Sequence, residues 1–273
     1  RDLGVLSAVE HASFARCAFY SRVIENGRLR VIVVNSLLWD RSLAPEAPSG
    51  VDPCGQFAFL EVELAAARAA GQAVWVVGHI PPAINMHDVF EHRNDTARTP
   101  GSHYWLPAYE ERYWRLVAAF NATIRVQVFA HTHRFAFNAD EFVGVPLYIL
   151  GAVSPVYDNW PNFFHVTIDD ATLAPTRMQQ HVFNMTSFTW EEGHELGATY
   201  NTSAGATPLS IAALHSVGSQ LLSNDTAWAT WRRMSAGGIT TNDCTSHYCR
   251  AVGACFIFAA GTERFYRCLD GHV

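Results

Sequence analysis

Three short apolar runs constrain the fold of this chain more than any other feature of it. Leu29–Asn35 (LRVIVVN) and Ala73–Val77 (AVWVV) are near-continuous β-branched runs, the signature of strands buried on both faces, and Ile124–Phe129 (IRVQVF) reads as a third strand. Helical stretches separate them. Gly55–Ala70 places Phe57, Leu60, Leu64 and Ala67 at 3-4-3 spacing and is closed by Gly71. Ala108–Asn121 gathers Tyr109, Tyr113, Leu116, Val117 and Phe120 on one side. Alternating strand and helix over residues 1–170 predicts an α/β fold. Pro146–Leu150 and Phe163–Ile168 read as further strands joined by a turn rich in Pro, Gly and Asn. Ile80–Pro107 shows little periodicity and reads as a long loop, a feature that in compact domains is usually functional or mobile. A soft boundary is expected within 171–205, among polar residues. Helices return after about residue 205, Thr207 capping and Pro208 starting one, and Asn224 or Asp225 starting another. The expected division is residues 1–175 and residues 176–273.

Composition removes several classes of function. Apolar residues make up 49% of the chain, enough for a sizeable core. The formal net charge of −6 offers no basic face for a phosphate backbone, so nucleic acid is not an expected partner. No apolar run reaches the roughly 18–20 residues of a spanning helix. All 19 basic residues are Arg, which excludes Schiff-base chemistry and Lys-dependent phosphate loops for this chain.

Two features point to the secretory pathway, with a secreted or lysosomal destination. N-x-[ST] sequons stand at Asn94, Asn121, Asn184, Asn201 and Asn224, where roughly 1.5 such triplets are expected by chance. Of six cysteines, Cys17 and Cys54 stand apart, while Cys244, Cys249, Cys255 and Cys268 crowd the C-terminus. Four cysteines so close suit either a zinc site or disulfides. The C-x4-C spacing lacks a C-x2-C knuckle, so disulfides are the expectation.

Three histidines follow predicted strands directly: His79 after AVWVVG, then His131 and His133 after IRVQVFA. Ligands of open α/β sheets gather outside the C-terminal ends of the strands, and imidazole is the commonest nitrogen ligand for zinc-like metals. His131 and His133, two apart at a strand end, diverge and suit two different ions. The plainer reading is a histidine capped by a carbonyl, since 13 His make about 0.6 H-x-H triplets expected by chance.

Further strings fall in a recognisable order. Gly78-His79-Ile80-Pro81-Pro82 resembles the GHIPP signature of the acid sphingomyelinase-like branch of the calcineurin-like metallophosphoesterases, and Ala130-His131-Thr132-His133 resembles that superfamily's GHTH element. Ala18-Phe19-Tyr20-Ser21 is similar to the family's Tyr-Ser strand start and Val34-Asn35-Ser36 to its LNT strand end. Asp52-Pro53-Cys54-Gly55-Gln56 with Phe59-Leu60-Glu61 resembles the DPxGQxxWLE helix start, and Ser154-Pro155 with Asn159-Trp160-Pro161-Asn162-Phe163 the SvTP…NPsF segment. The terminal cysteines resemble the paired disulfides of the acid sphingomyelinase C-terminal domain. Three connectivities are open, and neighbour pairing, Cys244 with Cys249 and Cys255 with Cys268, is the expected one.

The resemblance implies the second half of a metallophosphoesterase β-sandwich flanked by helices, followed by a small helical disulfide-bonded domain. It also implies a phosphoric diester hydrolase that cleaves a phosphocholine lipid or similar phosphodiester, with lipid at a membrane surface as partner. Two divalent metal ions, zinc by the imidazole donors, would hold a bridging hydroxide, His79 and His131 ligating one ion and His133 the other.

The chain departs from the family pattern in its missing elements and at three single positions. The D-x-H, G-D-x-x-D and G-N-H-E elements, which supply the bridging Asp and the proton-donating His, do not occur. The matches imply a start just past G-N-H-E, so Arg1 is expected to lie inside the catalytic domain, without the domain's N-terminal half. Asp40, Asp52 and His87-Asp88 lack the order and strand context to replace those elements. Ala130 stands for a glycine, which crowds a turn, Ala83 replaces the glycine after IPP, and Phe135 stands where a carboxylate is usual. The alternative functions are a polyphosphate or nucleotide phosphoesterase of the same superfamily, and a catalytically degenerate glycosylated surface or binding protein.

Other constellations are weaker. Ser154 is not in a G-x-S-x-G elbow, and the pairs Asp169-Asp170 and Glu191-Glu192 point apart. Tyr104, Trp105 and Trp114 form either an apolar rim or core. Trp228, Trp231, Phe256, Phe258 and Phe265 pack the small domain, a membrane-contacting face being the alternative.

Overall fold

The buried runs become the centre of a mixed sheet. In the computed structural model, which describes residues 6–43, 51–91, 102–202, 209–240 and 244–272, the first part of the chain runs α1 (Ala8–Cys17), β1 (Tyr20–Ile24), β2 (Leu29–Val33), α2 (Gln56–Ala69), β3 (Ala73–Val77), α3 (Met86–Glu91), α4 (Pro107–Ala119), β4 (Ile124–Phe129), β5 (Ala136–Asn138) and β6 (Leu147–Ile149). The strands form one sheet in the order β1-β2-β3-β4-β6-β5. β2, β3, β4 and β6 are parallel, and β1 and β5 close the two edges antiparallel. Ile32, Val74, Val76 and Val126 are fully buried, as strands covered on both faces require. An unpaired edge remains: among the described residues β1 pairs on one side only.

Helix α2 shows how the sequence sets this layer. The Asp52 carboxylate accepts from the N–H groups of Phe57 (2.8 Å) and Ala58 (2.9 Å), satisfying donors of the first turn. The 3-4-3 stripe of Phe57, Leu60, Leu64 and Ala67 is fully buried against the sheet, each of the larger side chains contributing roughly 1.5–3 kcal/mol. Gly71 ends the helix in the left-handed region at φ +65°. Gln56, also fully buried, accepts from the Asn35 N–H (2.6 Å) and donates to the Asn35 carbonyl (3.1 Å), extending the tip of β2 as a ladder partner would. The bond between Cys17 and Cys54 ties the end of α1 to the approach to α2.

At Gly78, where β3 ends, a Cβ would run into the Phe129 ring and crowd Val34. Gly78→Ala is therefore expected to cost about 1–3 kcal/mol, the usual range for overpacking a filled core, measured by denaturant unfolding.

The second part differs from expectation. A second sheet is built from β7 (Asn162–Ile168), β8 (Pro175–Asn184) and β9 (Thr189–Glu195), all antiparallel. The stretch 171–205, expected to be a soft boundary, thus holds most of a hairpin. Its polar sequence hides the strands because β9 lies largely in solvent, while Gln179 and Gln180 are buried with their amides hydrogen-bonded. Pro175 opens β8, so the expected division at 175/176 falls after the first residue of a strand that pairs with β7. The loop Ile80–Pro107 contains α3 and an internal bridge of Ile84 with His103, while its Trp105 bridges to Asp40 beyond the tip of β2.

Helices follow: α5 (Leu196–Thr199), α6 (Ile211–Ser223), α7 (Asp225–Ser235), α8 (His247–Phe258) and α9 (Thr262–Asp270). Asn224 caps α7 as expected, accepting from Thr226 and Ala227 N–H groups. Helix α6 is capped by Ser210, and Thr207 and Pro208 lie outside the described residues. Cys244 is bonded to Cys249 and Cys255 to Cys268. The zinc alternative for these cysteines fails, because sulfurs spent in disulfides offer no thiolate; Cys255 and Cys268 form a metal-like cluster with His272 by proximity alone. One continuous core joins the two parts, running from Val76, Phe129 and Phe137 to Leu214, Trp228 and Phe256. No described helix is long and apolar enough to cross a membrane.

Candidate metal centre

The C-terminal tips of β2, β3 and β4 meet at one rim of the sheet and carry the histidines. Two tethers set their spacing. The buried Ser36 hydroxyl, just past β2, accepts from the N–H groups of His79 (3.3 Å) and Ile80 (2.7 Å). The Ala130 N–H, just past β4, donates to the His79 carbonyl at 2.9 Å. Beneath them the indole of Trp105 donates to the Ile80 carbonyl (3.0 Å) and that of Trp114 to the Pro82 carbonyl (3.0 Å). Both indoles are buried, so they belong to the core that supports the loop and not to an apolar rim.

These tethers bring His79 Nε2 and His131 Nδ1 to 3.4 Å. Two nitrogens of a tetrahedral zinc with bonds of about 2.0–2.1 Å lie about 3.3 Å apart, so the pair fits one edge of such a site; a hydrogen bond between neutral rings fits the same distance. Burial, with His79 and His133 nearby, pushes the His131 imidazole below its usual range, while Asp40 acts in the opposite sense. The ring is thereby biased to the neutral form, which ligates metals.

His133 is set apart. No nitrogen of it joins those of His79 and His131 in a group lying within 4.8 Å of one another. Its ring meets Tyr157 at 5.4 Å, and its buried Nδ1 has no hydrogen-bond partner among the described residues. Both histidines of the H-x-H pair lie in the left-handed region, His131 at φ 73° and His133 at φ 59°. Left-handed conformations in two non-glycine residues two apart store strain, a pattern that concentrates at functional sites. Ala130 is not among the positive-φ residues, so its Cβ sits in a permitted conformation and the expected crowding is absent. Phe135 is buried against Phe164 with ring centres 4.4 Å apart, so the position that might have carried a carboxylate is core.

A cleft of about 470 Å³ opens beside His131, lined also by Asp40, Arg41, Ser42, Asn85, Asp88, His103 and Tyr104. The buried Asp40 accepts from the Ser42 hydroxyl at 2.6 Å, and the Tyr104 ring stands edge-on to His131 at 5.2 Å. Asp40, set aside in sequence for want of motif order and strand context, lines this cleft, as does His103, which no motif marks. The available signal was position: Asp40 follows the tip of β2 by a few residues, in the same layer as the histidines. No carboxylate of the described residues completes a three-ligand group with the imidazoles. The donors present therefore fit one ion held by two imidazoles more closely than they fit two ions sharing a bridging Asp.

Of the sequons, Asn121, Asn201 and Asn224 are exposed and Asn184 is half-buried at the β8–β9 turn, while Asn94 lies outside the described residues. The Asp169 carboxylate accepts from Ala171 and Thr172 N–H groups and so belongs to a turn.

No family model matches the chain. The chain is 30% identical over 149 residues to the sphingomyelinase phosphodiesterase D of Dictyostelium discoideum, covering 52% of the chain and 31% of the relative. It is 28% identical to the human acid sphingomyelinase-like phosphodiesterase 3b, covering 78% of the chain and 48% of the relative. An endopolyphosphatase of Cryptococcus neoformans is 30% identical over 47% of the chain and 17% of its own length. The chain thus spans less than half the length of each of these relatives. In sequence the chain is a relative of the acid sphingomyelinase-like phosphodiesterases, matched over a part of their length.

Proposed function

We propose that this chain supplies the histidine-bearing part of a metal-dependent phosphodiesterase resembling acid sphingomyelinase. The observation that carries the reading is the approach of His79 Nε2 to His131 Nδ1 at 3.4 Å, from adjacent strand tips and from the two motifs that resemble GHIPP and GHTH. His79 and His131 would hold one divalent ion, with zinc favoured by neutral imidazole donors, and His133, which stands apart from them, would serve a second ion only together with donors from elsewhere. Bound metal supplies charge neutralisation at the phosphoryl oxygens and a more acidic water. The chain's own residues have definite tasks: Ser36 fixes the backbone of His79, and burial keeps His131 neutral and ready to ligate. The D-x-H, G-D-x-x-D and G-N-H-E elements of the family pattern, which carry its carboxylates and proton donor, do not occur in this sequence. The chain by itself is accordingly expected to show no phosphodiester turnover.

A lipid substrate is supported by the rim of the centre. On the β2 side Leu37 and Leu43 are 47% and 62% exposed, and on the β6 side Val153, Val156 and Tyr157 are 68%, 42% and 67% exposed. Apolar side chains standing in solvent on both sides of a polar site suit contact with a bilayer surface. The disulfides and surface sequons support a secreted or lysosomal, glycosylated protein. A polyphosphate or nucleotide phosphoesterase is the second reading, favoured by the likeness to an endopolyphosphatase. The test is the full-length protein, metal-loaded or chelated, offered sphingomyelin vesicles, ATP and polyphosphate at acidic and neutral pH. Metal-dependent sphingomyelin hydrolysis is expected. Turnover of polyphosphate or ATP alone selects the second reading, and no turnover of any of them selects the degenerate binding protein.

A further inference from the structure

Helix α4 carries a carboxylate that nothing above uses. Glu110 is 3% exposed. Its Oε2 accepts from both the N–H (3.0 Å) and the hydroxyl (2.7 Å) of Thr262, the first residue of α9. Its Oε1 is buried without a hydrogen-bond partner among the described residues. One turn further along α4, Trp114 donates to the Pro82 carbonyl. Gly261 is packed against the same indole, so closely that a Cβ there would come within 3.3 Å of Trp114 Cδ1. One face of α4 therefore grips the α8–α9 corner at Glu110 and the loop bearing His79 at Trp114. The gripped corner lies inside the loop closed by Cys255–Cys268.

We propose that Glu110 is an acid-tightened latch, holding the α8–α9 corner against α4 and, through Trp114, bracing the loop that carries His79. A buried carboxylate with one bare oxygen is costly as an anion and far less so as a neutral acid. Burial pushes the Glu110 carboxyl up, the two Thr262 bonds opposing it in part. No charged neighbour contributes to that shift. On α4 the other ionisable groups are Tyr109, Glu111, Arg112, Tyr113 and Arg115. Glu111 faces Arg115, and Arg112 lies over the Phe57 ring. On α9 they are Glu263, paired with Arg267, Arg264, paired with Asp140, and Tyr266 and Asp270. The turn after β5 adds Asp140 and Glu141, and the braced loop adds His79.

The sign follows from linkage. A carboxyl titrating higher in the folded than in the unfolded chain contributes stability that is full below the unfolded value and is lost as pH rises through the folded one. The latch is tight in acid and strained near neutrality.

Hydrogen exchange read by mass spectrometry on the full chain tests this, with rates corrected for intrinsic pH dependence. Between about pH 7.5 and about pH 5, protection of residues 259–270 and 79–84 is expected to rise roughly tenfold. Glu110→Gln, which keeps an acceptor for Thr262 but cannot ionise, is expected to lose that rise and to match the acid wild type at both pH values. Thr262→Val removes the hydroxyl donor but not the charge, and is expected to lower protection while keeping the rise. Equal wild-type protection at both pH values overturns the latch, and so does a Glu110→Gln chain that keeps the rise.

Discussion

Replacing His131 with alanine is expected to lower zinc affinity of the candidate centre by at least about 100-fold. Loss of a residue that merely supports a metal ligand already costs about 10–100-fold, and His131 is proposed to bind the ion directly through the nitrogen that lies 3.4 Å from His79 Nε2. His79→Ala is expected to behave alike, since a single remaining imidazole leaves no chelate. His133→Ala is expected to leave this first ion in place, because its nitrogens stand outside the His79–His131 group. The measurement is competitive zinc titration of the full chain against a chromogenic chelator, with metal content after dialysis as a check. His131→Asn is the better-tolerated companion, because Asn adopts the left-handed conformation at φ 73° more readily than Ala. Wild-type zinc affinity in His131→Ala would remove the centre. Equal losses at His79, His131 and His133 would show a three-imidazole site assembled on metal binding, differing from the arrangement described above.

The parts of the fold legible in sequence were those where one physical demand dominates. Ala73–Val77 was read with its limits, and α2 and α4 within about two residues, because burial on both faces and a 3-4-3 stripe leave few alternatives. β5 was missed, since three residues are too few to carry a period. The β8–β9 hairpin was missed because its buried positions are Gln179 and Gln180, polar side chains whose amides find partners only in the folded chain. At the candidate centre, the motif order singled out His79 and His131, whose nitrogens the strand tips bring to 3.4 Å, and His133, which stands apart from them. The tethers by Ser36 and Ala130 join strands distant in sequence and carry no local signal. Asp40 and His103 belong to the same class: a cleft is a property of packing, and their spacing from the histidines along the chain says nothing of it.

The largest stability loss is expected at Asp140, where Asp140→Ala should cost about 3–5 kcal/mol in denaturant unfolding. Two effects compete as its cause. The ion pair with Arg264 at 2.8 Å is the conspicuous contact, but the Arg264 side chain is 40% exposed and can return to water, so the pair is worth under about 1 kcal/mol. The backbone contacts weigh more. Oδ2 accepts from the Ala260 N–H at 2.7 Å, and Oδ1 from those of Phe142 (2.8 Å) and Val143 (3.3 Å), all at a side chain with no exposed surface. Each donor left dry and unpaired costs about 1–3 kcal/mol, and alanine strands all three. Asp140 also sits beside the seam where Asn138 donates to the Phe256 carbonyl (2.6 Å) and the Ala139 N–H to that of Ile257 (2.8 Å), so its loss loosens the joint between the sheet and α8. Three substitutions separate the causes. Arg264→Ala should cost under about 1 kcal/mol, and Asp140→Asn, which keeps one carbonyl acceptor, about 1–3 kcal/mol. If Arg264→Ala instead costs as much as Asp140→Ala, the ion pair and not the backbone cap holds this corner. The same comparison then reaches Glu110 and Thr262, because Ala260 and Thr262 flank Gly261, which packs on Trp114. A corner held by backbone donors at two carboxylates resists salt, and one held by Arg264 weakens with ionic strength.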